Sequence, residues 1–480
     1  MIRILLICSA AIAGLAGCTA SIPYRDGVLA ESSSCAKTYR DYDATLLADR
    51  DPVKINLDDP CWRRSREEHE HYDLLFVEFD DQGWVQGALK QLKPADPDHL
   101  SELGREIEAI HRKLSQKNQG MSLAVFVHGW HHNAEVMDHN VHSFRRLLRE
   151  IAIAESIREG REREMRVVGL YVGWRGESLT LPWLSELTFW ERKNAAERVA
   201  QGTVRELLEW LDVLRDSGRG ADGRRNVRML TIGHSFGGLV AFEATSGTFL
   251  RNAIRFKRNG ARPADNYMSR VGDLVVIVNP AFEGARYEPL RAAGLRLRGV
   301  ENNQLPVMIV ATSRADWATR VAFPLARTFN TLFESHPDDQ WRAAVQTVGH
   351  NRRYITHELG LCAPGDDACR ATCRPPAVST TGSPEDRSKD EARREYEHMS
   401  GIAREGFTHE KTDAPYRRYL CGGLDLRSTA QHYPVHNPFW VVRTTRDIMK
   451  DHGDIFNRNF LNFIRQMYLG VIAARSQAKN

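Results

Sequence analysis

Val227-Arg228-Met229-Leu230-Thr231-Ile232-Gly233-His234-Ser235-Phe236-Gly237-Gly238-Leu239 is the stretch from which the fold is legible. Residues 227–232 form a short β-rich apolar run, and residues 239–249 carry a helical pattern. Between them lies Gly233-His234-Ser235-Phe236-Gly237, a G-x-S-x-G sequence. That pattern alone is weak, and its placement between strand and helix gives it meaning. A turn this tight tolerates little beyond glycine at its flanks. It lifts the Ser235 hydroxyl above the sheet, where a base and a substrate can reach it.

The same alternation extends in both directions. Upstream, residues 74–79 read as a strand, 80–83 as a turn and 84–86 as an antiparallel return. Residues 100–114, with Leu103, Ile107 and Ile110 at helical spacing, read as an amphipathic helix. Strands follow at 123–127 and 167–172, and helices at 136–157 and 192–214. Downstream, residues 274–278, 307–311 and 439–442 are further apolar runs, and 456–471 form an apolar-striped closing helix. Short continuous apolar strands separated by helices predict an α/β fold with a mostly parallel central sheet covered on both faces.

Composition agrees. A chain of 480 residues with 42% hydrophobic and 27% charged residues can bury a large core. It is neither collagen-like, wholly disordered nor a polytopic membrane protein. The formal charge of +4 comes with no dominant Lys/Arg block, so general nucleic-acid affinity is not implied.

The N-terminus sets the expected compartment. Arg3 is followed by an apolar run over 4–12 and then by Leu15-Ala16-Gly17-Cys18. This resembles a bacterial lipobox, which implies cleavage after residue 17 and acylation of Cys18. Thr19 in the next position suggests the outer membrane, facing the periplasm. Beyond Cys8 and Cys18, six cysteines remain: Cys35, Cys61, Cys362, Cys369, Cys373 and Cys421. An even number in an oxidising compartment points to disulfides, with proximity favouring Cys35 with Cys61 and the other four left open. No C-x-x-C occurs among them, so no zinc site is expected.

The organisation expected from these signals begins with a signal peptide over 1–17 and a tether with N-terminal extension over 18–70. The first part of the core covers 71–338, and a cysteine-containing insertion covers 339–437. Residues 438–480 carry the last strand, a histidine loop and the closing helix. Within the insertion, Ser383 and Pro384 read as the N-cap and first position of a charged helix.

A second motif, Val127-His128-Gly129-Trp130, follows another buried strand. Gly129 lets the backbone bend so that the amide of Trp130 points into the same space as that of Phe236. Two such N–H groups form an oxyanion hole. His131 and His132 beside it read as polar packing rather than metal ligands.

These residues resemble the α/β-hydrolase superfamily, in particular lipases and esterases with a His-Gly-X oxyanion loop. The resemblance spans roughly residues 72–468 apart from the insertion. It implies a nucleophile, an acid and a histidine in that chain order. The acid position matches Asp316, after the strand at 307–311. Asp273 precedes its strand and would lie at the wrong edge. The histidine position matches His452, in the loop between the last strand and the closing helix, with His436 and His350 as rivals. The stretch from Trp174 to Trp190, including Arg175, Leu179, Leu181, Trp183, Leu184 and Leu187, could line an acyl pocket or simply pack over the core.

The expected function is a lipid-anchored envelope serine hydrolase acting on an acyl ester, with no metal or organic cofactor. Amide cleavage or acyl transfer on the same triad, or a silent hydrolase fold binding an envelope partner, are the alternatives.

Overall fold

The computed structural model describes residues 23–477 apart from 48–54, 87–100, 158–163, 175–188, 221, 224, 260–269, 298–299, 301–303, 332–333, 375–382, 408–414 and 430–436. The signal segment with Cys18, most of the Trp174 to Trp190 stretch, and His436 therefore lie outside the described residues.

An eleven-stranded sheet organises the chain. In sequence its strands are β1 (Arg66–Glu68), β2 (Tyr72–Phe79), β3 (Gly120–Val127), β4 (Met165–Trp174), β5 (Val227–His234), β6 (Leu274–Val278), β7 (Met308–Ser313), β8 (His357–Leu361), β9 (Arg417–Leu420), β10 (Leu424–Ser428) and β11 (Phe439–Thr444). Their spatial order is β1-β2-β4-β3-β5-β6-β7-β11-β8-β10-β9. The run from β2 to β8 is parallel throughout, while β1 at one end and β10 and β9 at the other pair antiparallel. The fold is thus α/β with a mostly parallel central sheet.

The continuous apolar runs follow from burial on both faces. Along β3, Met121, Leu123, Val125 and Val127 enter one hydrophobic layer, while Ala124 and Phe126 enter the other. In β7, Met308 and Val310 face the first layer and Ile309 and Ala311 the second. Because side chains alternate between the two faces and both faces are covered, the central stretches of such strands are apolar at consecutive positions. Helices Ser101–Gln116, Phe189–Gln201, Thr203–Ser217 and Phe236–Asn259 contribute to the first layer; His139–Ser156, Pro384–Glu405 and Arg458–Gln477 contribute to the second. Fully burying one Leu, Ile or Phe side chain stabilises by about 1.5–3 kcal/mol, so these two layers dominate the energetics. No helix among the described residues is long and apolar enough to cross a membrane.

Two elements depart from the sequence expectation. The helix expected over 192–214 is two helices, Phe189–Gln201 and Thr203–Ser217, broken at Gly202. The stretch 339–437 supplies β8, β9 and β10 to the sheet as well as the helix Pro384–Glu405. That helix begins in a reciprocal capping box: Asp386 N donates to Ser383 Oγ (3.1 Å) and Ser383 N donates to Asp386 Oδ2 (3.0 Å).

Three disulfides are present: Cys35–Cys61, Cys362–Cys369 and Cys373–Cys421. The last two fasten the β8–β10 region.

Candidate active site

Ser235 occupies the turn between β5 and the helix Phe236–Asn259, with φ of +56°. For a serine this left-handed conformation is uncommon and is held by surrounding bonds. Ser235 N donates to Val278 O (3.0 Å), and Ser235 O accepts from Leu239 N (3.1 Å) and Ala281 N (3.2 Å). The turn packs so closely that a Cβ on Gly237 would lie 2.2 Å from Val127 O and 2.3 Å from His128 O. Gly237→Ala is accordingly expected to destabilise the protein by about 1–3 kcal/mol, read as a lower urea midpoint.

Because β5, β7 and β11 run parallel, the loops after them emerge at one edge of the sheet. Asp316 follows β7, and His452 lies between β11 and the helix Arg458–Gln477. The structure brings the three side chains together. His452 Nε2 is 2.9 Å from Ser235 Oγ, and His452 Nδ1 is 2.9 Å from Asp316 Oδ2. With Nδ1–H donating to the carboxylate, Nε2 is left to accept the serine proton.

The carboxylate is fully buried and held from behind. Thr319 N donates to Asp316 Oδ1 (3.1 Å), and the Thr319 hydroxyl donates to Asp316 Oδ2. Burial would raise the Asp316 pKa. The hydrogen bonds and charge of His452, together with Thr319, outweigh it and hold the carboxyl below its ordinary value. His350 lies one step further back, its Nε2 at 3.1 Å from Thr319 Oγ1. Burial, only partly opposed by Asp316, lowers the His350 pKa to about 4, so it is neutral and donates to the threonine. His350 therefore backs Asp316 and does not face Ser235.

The histidine loop is clamped through its backbone. The carbonyl of His452 accepts from His234 Nε2 (2.9 Å) and Asn279 Nδ2 (2.9 Å). Asn279, at φ +44° just after β6, also accepts from Ser313 N through Oδ1 (2.9 Å). Ser313 Oγ donates onward to Met449 O (2.7 Å). One asparagine side chain thus ties the strand end before Asp316 to the loop that carries His452. Burial and the neighbouring His452 and His132 lower the His234 pKa well below its usual value, keeping it a neutral donor.

The 128–130 turn runs directly over Ser235: a Cβ on Gly129 would lie 2.9 Å from Ser235 Cβ. The rings of Trp130 and Phe236 are 6.1 Å apart. His128 fixes this turn, with Nδ1 donating to Gly129 O (2.8 Å) and Nε2 accepting from Trp174 N (3.0 Å). Trp174 Nε1 returns a bond to His128 O (2.9 Å). Burial lowers the His128 pKa to about 4, consistent with this neutral tautomer.

The remaining candidates fall elsewhere. Asp273 stands at the opposite edge of the sheet, accepting from Met229 N (2.7 Å). His131 stacks on Trp130 (4.1 Å) and His132 bonds Asp138 (3.1 Å). Among the described residues no group of three His, Cys, Asp or Glu side chains could hold a metal ion. Thr319, Asn279 and the supporting role of His350 were not legible in the sequence, because each works across a distance only the folded chain closes.

The chain is similar to phospholipase PlaB. That Legionella pneumophila enzyme, in complex with thio-NAD, is 14% identical with a TM-score of 0.23 over 51% of this chain and 47% of PlaB. A second PlaB structure gives 12% identity and a TM-score of 0.24, over 51% and 48%. The match thus spans about half of PlaB. No family model matches the chain, nor does any curated protein.

Proposed function

We propose that this protein is a serine hydrolase of the α/β-hydrolase type that cleaves a carboxylic ester of a lipid-like substrate. The observation that carries this reading is the continuous line Ser235 Oγ, His452 Nε2, His452 Nδ1 and Asp316 Oδ2, with both hydrogen bonds at 2.9 Å. Such a line is the working arrangement of nucleophile, general base and orienting acid.

The chemistry follows from the positions. Ser235 Oγ attacks the ester carbonyl as its proton passes to His452 Nε2, and Asp316 stabilises the imidazolium. The amides of Trp130 and Phe236 receive the oxyanion. The tetrahedral adduct collapses, its alcohol taking the proton from His452, and an acyl-Ser235 remains. Water, deprotonated by His452, then releases the acid. Each preorganised oxyanion donor is typically worth about 2.7–4 kcal/mol of barrier.

The envelope location belongs to the same proposal. Leu15-Ala16-Gly17-Cys18 would be processed to an acylated Cys18, placing the protein on the outer membrane facing the periplasm. Three disulfides suit that oxidising compartment. The domain plan treats residues 18–70 as tether and extension and 71 onward as the hydrolase core, and the end of the extension supplies β1 (Arg66–Glu68) to the central sheet. Asp316 and His452 flank the inserted 339–437 stretch.

The test is turnover of a graded panel of acyl esters together with labelling by a fluorophosphonate probe. Labelling that survives loss of the Ser235 hydroxyl would falsify the nucleophile. A further expected result concerns Asn279. Asn279→Ala lowers kcat by about tenfold with KM nearly unchanged, because it loosens the base without touching the substrate. Steady-state kinetics on a soluble ester checks it.

A further inference from the structure

We propose that residues 317–330 form a lipid-docking face, through which the catalytic edge of the sheet rests on a phospholipid bilayer. This deepens the hydrolase reading and rests on it for the substrate: the ester is drawn from the bilayer on which the protein lies.

A turn of π-helix, Ala318–Ala322, runs into the helix Phe323–Asn330 directly after Asp316. Its inner side is committed to the site. Thr319 bonds Asp316, and buried Phe323 packs at 6.0 Å on Phe189, whose ring is 5.2 Å from Phe236. Advancing two residues along a helix turns the side chain by about 200°, onto the opposite face. There the chain places Trp317, Leu325 and Phe329, which are 65%, 56% and 73% exposed. The helix Asp338–Val345, joined to it by Arg327 Nε donating to Ala344 O (3.2 Å), adds Trp341 at 44% exposure. Single exposed apolar residues are ordinary, but large ones gathered along consecutive helical turns and a neighbouring helix beside a site mark an interaction surface.

Two observations choose the bilayer as occupant. Between Asp316 and Glu334 the chain carries Arg320 and Arg327 and no carboxylate. Arg327 turns inward onto Glu283 (3.0 Å), and Arg320 is exposed. An apolar face whose exposed charge within residues 317–330 is the cation Arg320 suits an interface of anionic headgroups. The second observation is where the N-terminal segment joins the fold. Tyr24 N and Arg25 N donate to Glu78 (3.0 and 2.8 Å), near the end of β2, and Arg25 Nε donates to Ala134 O (2.7 Å). That is the sheet edge that carries Ser235. From an acylated Cys18, residues 19–25 reach at most about 25 Å, so anchor and apolar row address the same membrane.

The full chain reconstituted in vesicles of phosphatidylethanolamine and phosphatidylglycerol tests this. With brominated acyl chains, part of the tryptophan fluorescence is quenched; Trp317→Phe lowers that part, and Trp317→Phe combined with Trp341→Phe removes it. Leu325→Ser combined with Phe329→Ser lowers hydrolysis of vesicle phospholipid by about tenfold or more, while turnover of a short water-soluble ester stays within about twofold. Quenching unaffected by Trp317→Phe, or equal vesicle hydrolysis by both proteins, overturns the docking face. Absence of soluble-ester turnover in the wild type overturns the hydrolase reading instead, and quenching then decides the surface alone. A lipid-free dimer dissolved by the double substitution, without quenching, assigns the row to a second copy and overturns the proposal.

Discussion

Ser235→Ala lowers kcat by about 10⁵–10⁶, the order expected when the nucleophile of a coupled triad is removed. The loss is this large because Ser235 Oγ is the atom that His452 Nε2 reaches, at 2.9 Å. With the hydroxyl gone, the base has no proton to take and no acyl-enzyme forms. What survives is the residual acceleration from the proposed oxyanion amides and substrate binding, about 10³–10⁴ over water. Asp316→Asn should fall by about 10⁴ with little change in fold. Both oxygens of Asp316 accept bonds, from His452 Nδ1 and from Thr319 N and Oγ1. An amide would present a donor to one of these donors and turn the imidazole to the wrong tautomer. Burst kinetics on a chromogenic ester and fluorophosphonate labelling measure both variants. Turnover within about tenfold of wild type in Ser235→Ala would remove Ser235 from the chemistry.

Much of this site could be read in sequence because its parts are local to strand ends. Ser235 is announced by the glycines that its turn requires, and Asp316 and His452 each follow an apolar run short enough to be a buried strand. Two-faced burial explains that legibility: β6 and the first four residues of β7 are apolar without a break, and β5 places apolar residues on both faces, because both layers claim them. The strands β8, β9 and β10 gave no such signal. Glu358, Arg417, Asp425 and Arg427 interrupt them, and these charges are tolerated because they pair with one another or with neighbours, as Arg417 does with Asp425 (2.8 Å) and Arg443 with Glu358 (2.6 Å). The Gly202 break was hidden because apolar spacing continues on both sides of it. Asn279, Thr319 and His350 were illegible for a different reason. Their partners lie on other loops, and a polar residue in a loop has no periodicity to betray what it will meet.

Glu67→Gln is expected to cost about 3–5 kcal/mol, the range for leaving buried charges without their partner. The Glu67 side chain is fully buried. Its Oε1 accepts from Arg25 Nη1 (3.0 Å) and Arg145 Nη2 (2.7 Å), and its Oε2 from Arg145 Nε (2.9 Å) and His69 Nε2 (3.1 Å). Glutamine keeps the volume but turns one acceptor into a donor facing donors, stranding two guanidinium groups away from water. The damage reaches the site edge, because Arg25 also holds Trp62 O and Ala134 O. Burial would raise Glu67, but Arg145, His69 and Arg25 outweigh it and depress its pKa well below 4.5. Its contribution is therefore present above pH 4.5 and lost as pH falls. His69 is the opposite case: burial opposes the proton, yet Asp43 and Glu67 raise its pKa above 6.5. Its contribution is complete below pH 6.5 and lost as pH rises through the folded value. The cluster is thus strongest between these limits, and urea unfolding near pH 5.5 should show the largest gap between wild type and Glu67→Gln. At pH 3 the gap should narrow, because Glu67 is then protonated in the unfolded chain while the folded state resists that proton, a loss of stability that the uncharged amide does not share. A gap that is small at pH 5.5, or unchanged at pH 3, would mean that the charge on Glu67 does not hold the N-terminal segment to the sheet.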